Sequence, residues 1–378
     1  MKKIKADLLV IGAGSGGLVV ASGAAQLGAN VVLVEGDRMG GDCLNYGCVP
    51  SKALLAAANT AKQVNQSDKF GIKAEIVDLD YAEVMAYVEK KIAEIAPHDS
   101  QERFEEMGVT VLRDYAKFKD PKTVVVGNNE ITARRIVLAT GSRAKIPNIE
   151  GLNKVNYLTN ESVFDLRKSP RHLAIIGGGP IGVEMAQAHA RLGVKTTIIE
   201  INTIMQGYER RVVEPIKKSL INDGVNILEG TVVDRVEKDK SDIKLHLSSA
   251  NALVVSDLLL AAGRVPNIEK LALAEAGIKY NELGVVVDRN LQTTNRSVYA
   301  IGDLVDGPSF THTASYHAGI VIKKMLFGLS SKMQTIHIPQ VTYTDPEIAS
   351  VGLNFNDAVK RFGTVSYTHL TLPTSYPV

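Results

Sequence analysis

Cys43 and Cys48 are the only cysteines in 378 residues and stand five positions apart in GGDCLNYGCVPSKALL. At that spacing they must share one chemistry, and three readings compete. A zinc site needs two further ligands at suitable spacing, and none of the eight histidines stands near the cysteines in the sequence. A purely structural disulfide is disfavoured in a reducing compartment. The third reading is a dithiol that cycles with its disulfide. The segment after Cys48 reads as a helix beginning at Pro50, a residue suited to a first turn. A cysteine beside a helix N-terminus has its thiolate stabilised by the dipole, so Cys48 is the better placed of the two.

A second chemistry is written twice. ADLLVIGAGSGG and LAIIGGGPIG both read as a buried strand running into GxGxxG, with glycines at 12, 14 and 17 and at 177, 179 and 182. In each copy a further strand, VVLVE or TTIIE, ends in an acid, Glu35 or Glu200, 23 residues after the first glycine. Strand, glycine turn, helix and acid-tipped strand form the dinucleotide-binding fingerprint. Glycines let the backbone approach a pyrophosphate, the helix N-terminus offers N–H groups, and the acid accepts from ribose hydroxyls. One copy is weak evidence, but two equally spaced copies make chance a poor explanation. Each copy closes on an apolar strand with a glycine and a basic residue, IVLATGSR at Gly141 and LLLAAGR at Gly263.

The elements that position these groups follow from the same comparison. From Gly12 to Gly141 is 129 residues and from Gly177 to Gly263 is 86, so the first copy holds 43 extra residues. The surplus contains both cysteines and two helical segments. One presents Ala53, Leu54, Ala57, Ala61 and Val64 on a face, and the other Val84, Val88 and Ile95, with Pro97 ending or bending it. Beyond Gly263, NRSVYAIGD reads as a strand ending at Asp303, and from about Ile336 the pattern VTYTDPEIASVG starts a new region. Length predicts two to three domains. A hydrophobic share of 45% and a net charge of +2 exclude a disordered chain and a basic nucleic-acid binder. No apolar run reaches the ~20 residues of a membrane helix, and the start runs straight into a strand. A soluble globular protein of the cytoplasm is expected, with no nucleic-acid and no membrane partner.

GGDCLNYGCVPSK after GAGSGG, followed by ATG (Ala139 to Gly141), GGGPIGVE and YAIGD, resembles the flavin-dependent pyridine nucleotide-disulfide oxidoreductases. That group includes dihydrolipoyl dehydrogenase, glutathione reductase and mercuric reductase. Order and spacing match from about residue 5 to residue 360. IAPHDS, FTHTASYHAGI and VTYTDPEIASVG look most like the mercuric-reductase-like members. The resemblance implies an α/β fold: two Rossmann-like domains, for FAD and NAD, each with a mainly parallel sheet, and the start of a truncated α+β dimerisation domain. Residues 1–148 and 269–335 would form the FAD-binding domain, 149–268 the NAD-binding domain and 336–363 the start of the third. Gly12, Gly14 and Gly17 would hold the FAD pyrophosphate, Glu35 its adenosine ribose and Asp303 its sugar-alcohol chain, with Thr140 and Gly141 also at the cofactor. Gly177, Gly179, Gly182, Glu200 and Gly263 would serve the nicotinamide nucleotide. Glu200 favours NAD over NADP, because a carboxylate repels the extra phosphate and no arginine immediately follows.

The resemblance further implies that electrons pass from NAD(P)H through FAD to Cys48, while Cys43 exchanges with the substrate: a small disulfide, a lipoyl group or a metal ion. Lys52 and Glu184 match an ion pair beside the flavin, and no resident metal is expected. Competing readings are a flavin-binding redox sensor without rapid turnover and a flavin NADH oxidase that does not use the cysteines. His312 and His317 either line the flavin or substrate path or are structural histidines. Arg264 is a loop anchor or a nucleotide contact, and the charges of ERRVVEPIKK form a solvated helix face.

Intact members of the group are longer homodimers whose C-terminal domain carries an HPTxxE segment or, in the mercuric branch, a terminal cysteine pair. Neither occurs here, so the terminal electron acceptor stays open. The tail from Thr364 loses all periodicity, and Val365 to Thr374 correspond in one frame to a transposon adapter used in sequencing libraries. Residues 364–378 are therefore expected to be non-native.

Overall fold

The computed structural model describes residues 1–249 and 252–363, and the expectation for the tail lies outside them. The α-helices among these residues are α1 (Ser15–Gln26), α2 (Gly41–Asn45), α3 (Cys48–Asn65), α4 (Tyr81–Ile95), α5 (Gln101–Glu106), α6 (Pro180–Arg191), α7 (Arg210–Asn222), α8 (Thr311–Phe327) and α9 (Phe355–Phe362). They divide between two compact units. The first comprises Met1–Cys48, Ile92–Arg143 and Arg264–Ile338; the second comprises Val49–Lys91, Ala144–Gly263 and the described residues from Pro339 on.

The first unit is built on a sheet of β1 (Lys2–Ile11), β2 (Val31–Glu35), β3 (Thr110–Arg113), β4 (Ala116–Phe118), β5 (Thr123–Val126) and β6 (Asn129–Leu138), in the order β3-β2-β1-β6-β5-β4. β1 lies parallel to both neighbours, with Leu9 opposite Val32 and Ile136. Its first half is charged and largely open, but Leu8 to Ile11 are at most 3% exposed. A continuous apolar run is what a central parallel strand covered on both faces requires. Strand Val298–Ala300 adds itself parallel to the end of β6, which brings the YAIGD segment back to the first glycine turn. Each fully buried Leu, Val or Ile in this core stabilises by about 1.5–3 kcal/mol before chain entropy is subtracted.

The second unit repeats the arrangement with four parallel strands, in the order Val225–Glu229, Lys195–Glu200, His172–Ile176, Asp257–Leu260. This matches β3-β2-β1-β6 position for position. The antiparallel strands differ: in the first unit they continue the main sheet, whereas Val233–Asp239, Asp242–Leu247 and Leu253–Val255 form a separate three-stranded sheet. α7 is amphipathic as expected, burying Val213, Ile216 and Leu220 and leaving its charged face to solvent.

The inserted helices differ in detail from the pattern reading. α3 starts at Cys48 rather than Pro50, and it buries Leu55 and Ala58 where Ala57 and Val64 are half-buried. α4 buries Tyr81, Met85 and Val88 but ends at Ile95, which is 40% exposed because Pro97 tightens the chain into a 3-10 turn. Apart from Cys48, which groups with the first unit, α3 packs in the second unit's core together with α4. A buried hydrogen bond of 3.0 Å between Tyr81 Oη and His189 Nε2 ties α4 to α6. The hairpin Gln340–Thr342 with Ile348–Ser350 also belongs to this unit. Gln187 of α6 donates to Asp345 O and accepts from Asp345 N, and Arg191 pairs with the Asp345 carboxylate at 2.8 Å.

Candidate functional site

The two glycine turns have the same geometry for the same reasons. Gly12 and Gly177 have φ of +108° and +114°, and a Cβ on either would lie 2.3 Å from a backbone oxygen of the next strand, Ala139 or Ala261. A Cβ on Gly17 or Gly182 would lie 1.8 or 2.0 Å from the first glycine's own carbonyl. These four glycines are demanded by the fold itself. The middle ones are not: a Cβ on Gly14 would meet only Gly41 Cα at 3.9 Å, and one on Gly179 nothing within 4 Å. That open space, in front of the uncapped N-termini of α1 and α6, fits a pyrophosphate, and a side chain would fill it.

Both acids close back on their turns. Glu35 accepts from the N–H of Ala13 at 2.6 Å and of Asp37 at 2.8 Å; Glu200 accepts from Gly178 at 2.7 Å and Asn202 at 2.9 Å. Each carboxylate is thereby fixed at the strand tip where a ribose would lie, with lone pairs to spare.

The redox segment is built against the first turn. The Gly40 N–H donates to Ala13 O at 2.9 Å, and a Cβ on Gly41 would lie 2.7 Å from Gly14 Cα. α2 then carries Cys43, half-buried, and Cys48 is the exposed first residue of α3. Both are free thiols, joined by a hydrogen bond that, together with burial and the charge of Cys48, holds the Cys43 proton far above the ordinary thiol range. The hydroxyls of Thr311 and Ser15 pull the other way and are outweighed.

Asp303 accepts from Ser142 Oγ at 2.7 Å. Arg264 binds Ser142 Oγ and O at 2.7 and 2.8 Å and pairs with Asp42 at 3.2 Å and Asp303 at 3.7 Å. It is thus more than a loop anchor, linking the residue beside Cys43 to the YAIGD acid. Thr140 donates its hydroxyl to Asn267 O, while Asn267 donates to Thr140 O and Gly141 O, so this pair clamps the GRVPN turn. Gly263 accepts from Lys145 N within the second unit.

Lys52 and Glu184 form the expected ion pair at 2.9 Å. Glu184 also accepts from the Tyr343 N–H at 2.8 Å, and Lys52 Nζ sits 4.3 Å from the centroid of the Tyr343 ring. His312 is exposed and stacked on Phe310. His317 is 2% exposed, accepts from the Gly302 N–H at Nδ1, and has its pKa pushed down to about 4 by burial. Its Nε2 has no hydrogen-bond partner among the described residues. Among those residues no group of three or more His, Cys, Asp or Glu gathers as a metal site, and no helix is long and apolar enough to cross a membrane. Sequence reasoning missed Ser15, Thr311 and Tyr343. Ser15 lies inside GAGSGG and Thr311 precedes the singled-out His312, but nothing local points either one at a sulfur.

Comparison with known proteins agrees with this geometry. The model of the pyridine nucleotide-disulphide oxidoreductase family matches residues 6–318. A mercuric reductase of Lysinibacillus sphaericus is 33% identical over 362 residues, 94% of this chain and 66% of the relative. A dihydrolipoyl dehydrogenase of Geobacillus stearothermophilus is 35% identical over 359 residues, 92% of this chain and 76% of the relative. A solved structure, the Cu(II) complex of the HOCl-induced flavoprotein disulfide reductase RclA from Escherichia coli, superposes with a TM-score of 0.83 at 27% identity, covering 93% of this chain and 79% of that one. The chain spans 66%, 57% and 66% of the length of the mercuric reductases of Lysinibacillus sphaericus, Bacillus cereus and Staphylococcus aureus. It belongs to the pyridine nucleotide-disulphide oxidoreductase family, whose members use FAD and NAD(P)H, and its two cradles fit those groups.

Proposed function

We propose that this family member carries electrons from NADH, held in the second cradle, through FAD in the first to the Cys43–Cys48 pair, and from there to a disulfide or a soft metal ion. The observation that carries the reading is the pair of free thiols, Cys43 and Cys48, in the segment lodged against the first glycine turn. When bound, the two cofactors supply hydride transfer and a two-electron relay. The chain's residues do the rest. Opening the Cys43–Cys48 bond consumes two electrons and one proton and leaves a Cys48 thiolate beside a Cys43 thiol. Cys43 passes its proton to Cys48, attacks one sulfur of the substrate and releases the other as a thiolate, which takes the proton from Cys48. Cys48 then attacks Cys43, re-forming the internal bond and releasing the second substrate sulfur. A soft metal ion is the alternative substrate because paired thiolates bind such ions.

Lys52, one helical turn after Cys48 on α3, and Glu184 are assigned to the electron-transfer step. Glu200 selects NAD. The same reading gives residues 1–148 and 269–335 to FAD, 149–268 to NAD and 336–363 to the start of a dimerisation domain. It places the protein in the cytoplasm as a homodimer. The test is NADH-dependent reduction of a small disulfide and of Hg(II) by the flavin-loaded chain, with Cys43→Ser and Cys48→Ser. Either substitution should abolish substrate reduction and leave flavin reduction by NADH intact; full activity in both variants would refute the dithiol route and indicate a flavin oxidase.

A further inference from the structure

His317 is buried on α8 with only half of its ring in use. The Gly302 N–H reaches Nδ1 at 3.2 Å, and since an N–H can only donate, Nδ1 carries the free lone pair and the ring proton sits on Nε2. Burial, which pushes the pKa of this histidine down to about 4, keeps the ring in that neutral form at pH 7. On the other side Nε2 has no hydrogen-bond partner among the described residues, and neither has the buried Thr313 Oγ1 one helical turn earlier. A buried donor left unmatched is destabilising, so packing alone is a poor reason for an imidazole here. What the ring does satisfy is a turn.

Gly302 opens the turn Gly302–Leu304, which leads from the strand Val298–Ala300 toward α8, and its φ is +66°. The backbone on either side is tied to backbone: the Ile301 N–H donates to Leu138 O at 3.0 Å and the Val305 N–H to Gly302 O at 3.2 Å. The Gly302 N–H instead reaches a side chain 15 residues further on. The turn and α8 both press on the first glycine turn, where a Cβ on Gly16 would meet Ile301 Cδ1 at 3.0 Å and Ala314 Cβ at 3.2 Å. We propose that His317 is a positioning residue for the flavin: its Nδ1 holds the Gly302 N–H and so fixes the turn that carries Asp303, the acid assigned to the cofactor's sugar-alcohol chain. Glycine in the left-handed region is the most freely moving point of such a turn, and freedom removed before binding is not lost on binding. The proposal rests on the assignment of the first cradle and Asp303 to FAD, and is independent of the route the electrons take afterwards.

The test is the affinity of the full-length chain for FAD, read from flavin fluorescence at pH 7.5, for wild type, His317→Phe, His317→Leu and His317→Asn. Phenylalanine keeps a flat ring and removes the acceptor, and leucine carries the same expectation should α8 reject the larger ring. Asparagine is smaller but puts an amide oxygen where Nδ1 stands. Phenylalanine should weaken FAD binding about tenfold, the scale of one lost hydrogen bond, and asparagine should stay within about threefold of wild type. A second reading needs no flavin: amide hydrogen exchange of the peptide containing Gly302 should speed up in the phenylalanine and leucine chains and stay at the wild-type rate in the asparagine chain. Wild-type affinity without the acceptor, an asparagine chain as weak as the phenylalanine one, or exchange at Gly302 indifferent to residue 317 would each overturn the proposal. A His317-dependent affinity in a chain that reduces no disulfide or metal ion removes the function reading alone, and an indifferent affinity in an active chain removes this one alone.

Discussion

The two halves of the duplication share a backbone solution and differ in what surrounds it. Both turns need the first and third glycines for internal reasons, and both acids bind back to the turn. Around Gly14, however, the chain has added Gly41 at 3.9 Å, and a Cβ on Gly16 would meet Ile301 at 3.0 Å and Ala314 at 3.2 Å. Gly179 has nothing within 4 Å, although a Cβ on its neighbour Gly178 would meet Ile204 at 2.7 Å. The approach of Gly41 to the middle glycine is what the second cradle lacks, and a more enclosed cradle suits a cofactor that stays. The added wall is also where the cysteines are, so the surplus of the first copy both encloses its cofactor and gives the electrons somewhere to go.

The comparison breaks most visibly at the third glycines. Gly17→Ala and Gly182→Ala each drive a methyl into a carbonyl and should cost more than ~3 kcal/mol, read by thermal unfolding. Gly17→Ala should also empty the chain of flavin, while Gly182→Ala should leave flavin bound and lower the stability of the second unit. Equal flavin loss in both would erase the distinction between the cradles. A smaller effect is expected at the acids. Glu200→Ala removes the partner of two backbone N–H groups and the ribose acceptor, which should weaken NADH binding about tenfold at unchanged flavin content. Glu35→Ala should lower flavin retention and leave the affinity for NADH alone.

The legible part of the molecule was the part whose chemistry is local. The glycines, the acids at the strand tips and the cysteine spacing each carry their meaning within some 25 residues, and the parallel sheets follow from apolar runs such as LLVI. What could not be read depends on where distant segments meet. Thr311 is 263 residues from Cys48, and Arg264 is called a loop residue until Asp42 and Asp303 close around it. The burial of Leu55 in place of Ala57 depends on the direction from which α4 arrives, which a helical period alone leaves undetermined. The detachment of the second unit's antiparallel strands from its main sheet likewise has no local signal.

The smallest expected difference between the halves is a null one, and it sharpens the contrast by showing what does not distinguish them. The first unit buries His317 and the second His189 and His172, and burial lowers the pKa of each. A histidine with a depressed folded pKa binds its proton more readily when unfolded. Its stabilising contribution is therefore complete above about pH 6.5 and lost as pH falls through the folded value, which for His317 is about 4. For His317 the loss is at most ~3 kcal/mol. Acid should therefore destabilise both units as pH falls below about 6.5, and His317→Gln and His189→Gln should each reduce that dependence for their own unit.

The most direct measurement is the electron capacity of the flavin-loaded chain in an anaerobic titration with dithionite, followed by alkylation of the thiols. If the dithiol lodged on the first cradle is the electron store, the oxidised chain takes up about two electron pairs per flavin, one of them appearing as alkylatable Cys43 and Cys48. Cys48→Ser should take up about one. A wild-type capacity of one pair, with the cysteines in the same state before and after, would contradict the electron path from nucleotide to flavin to sulfur.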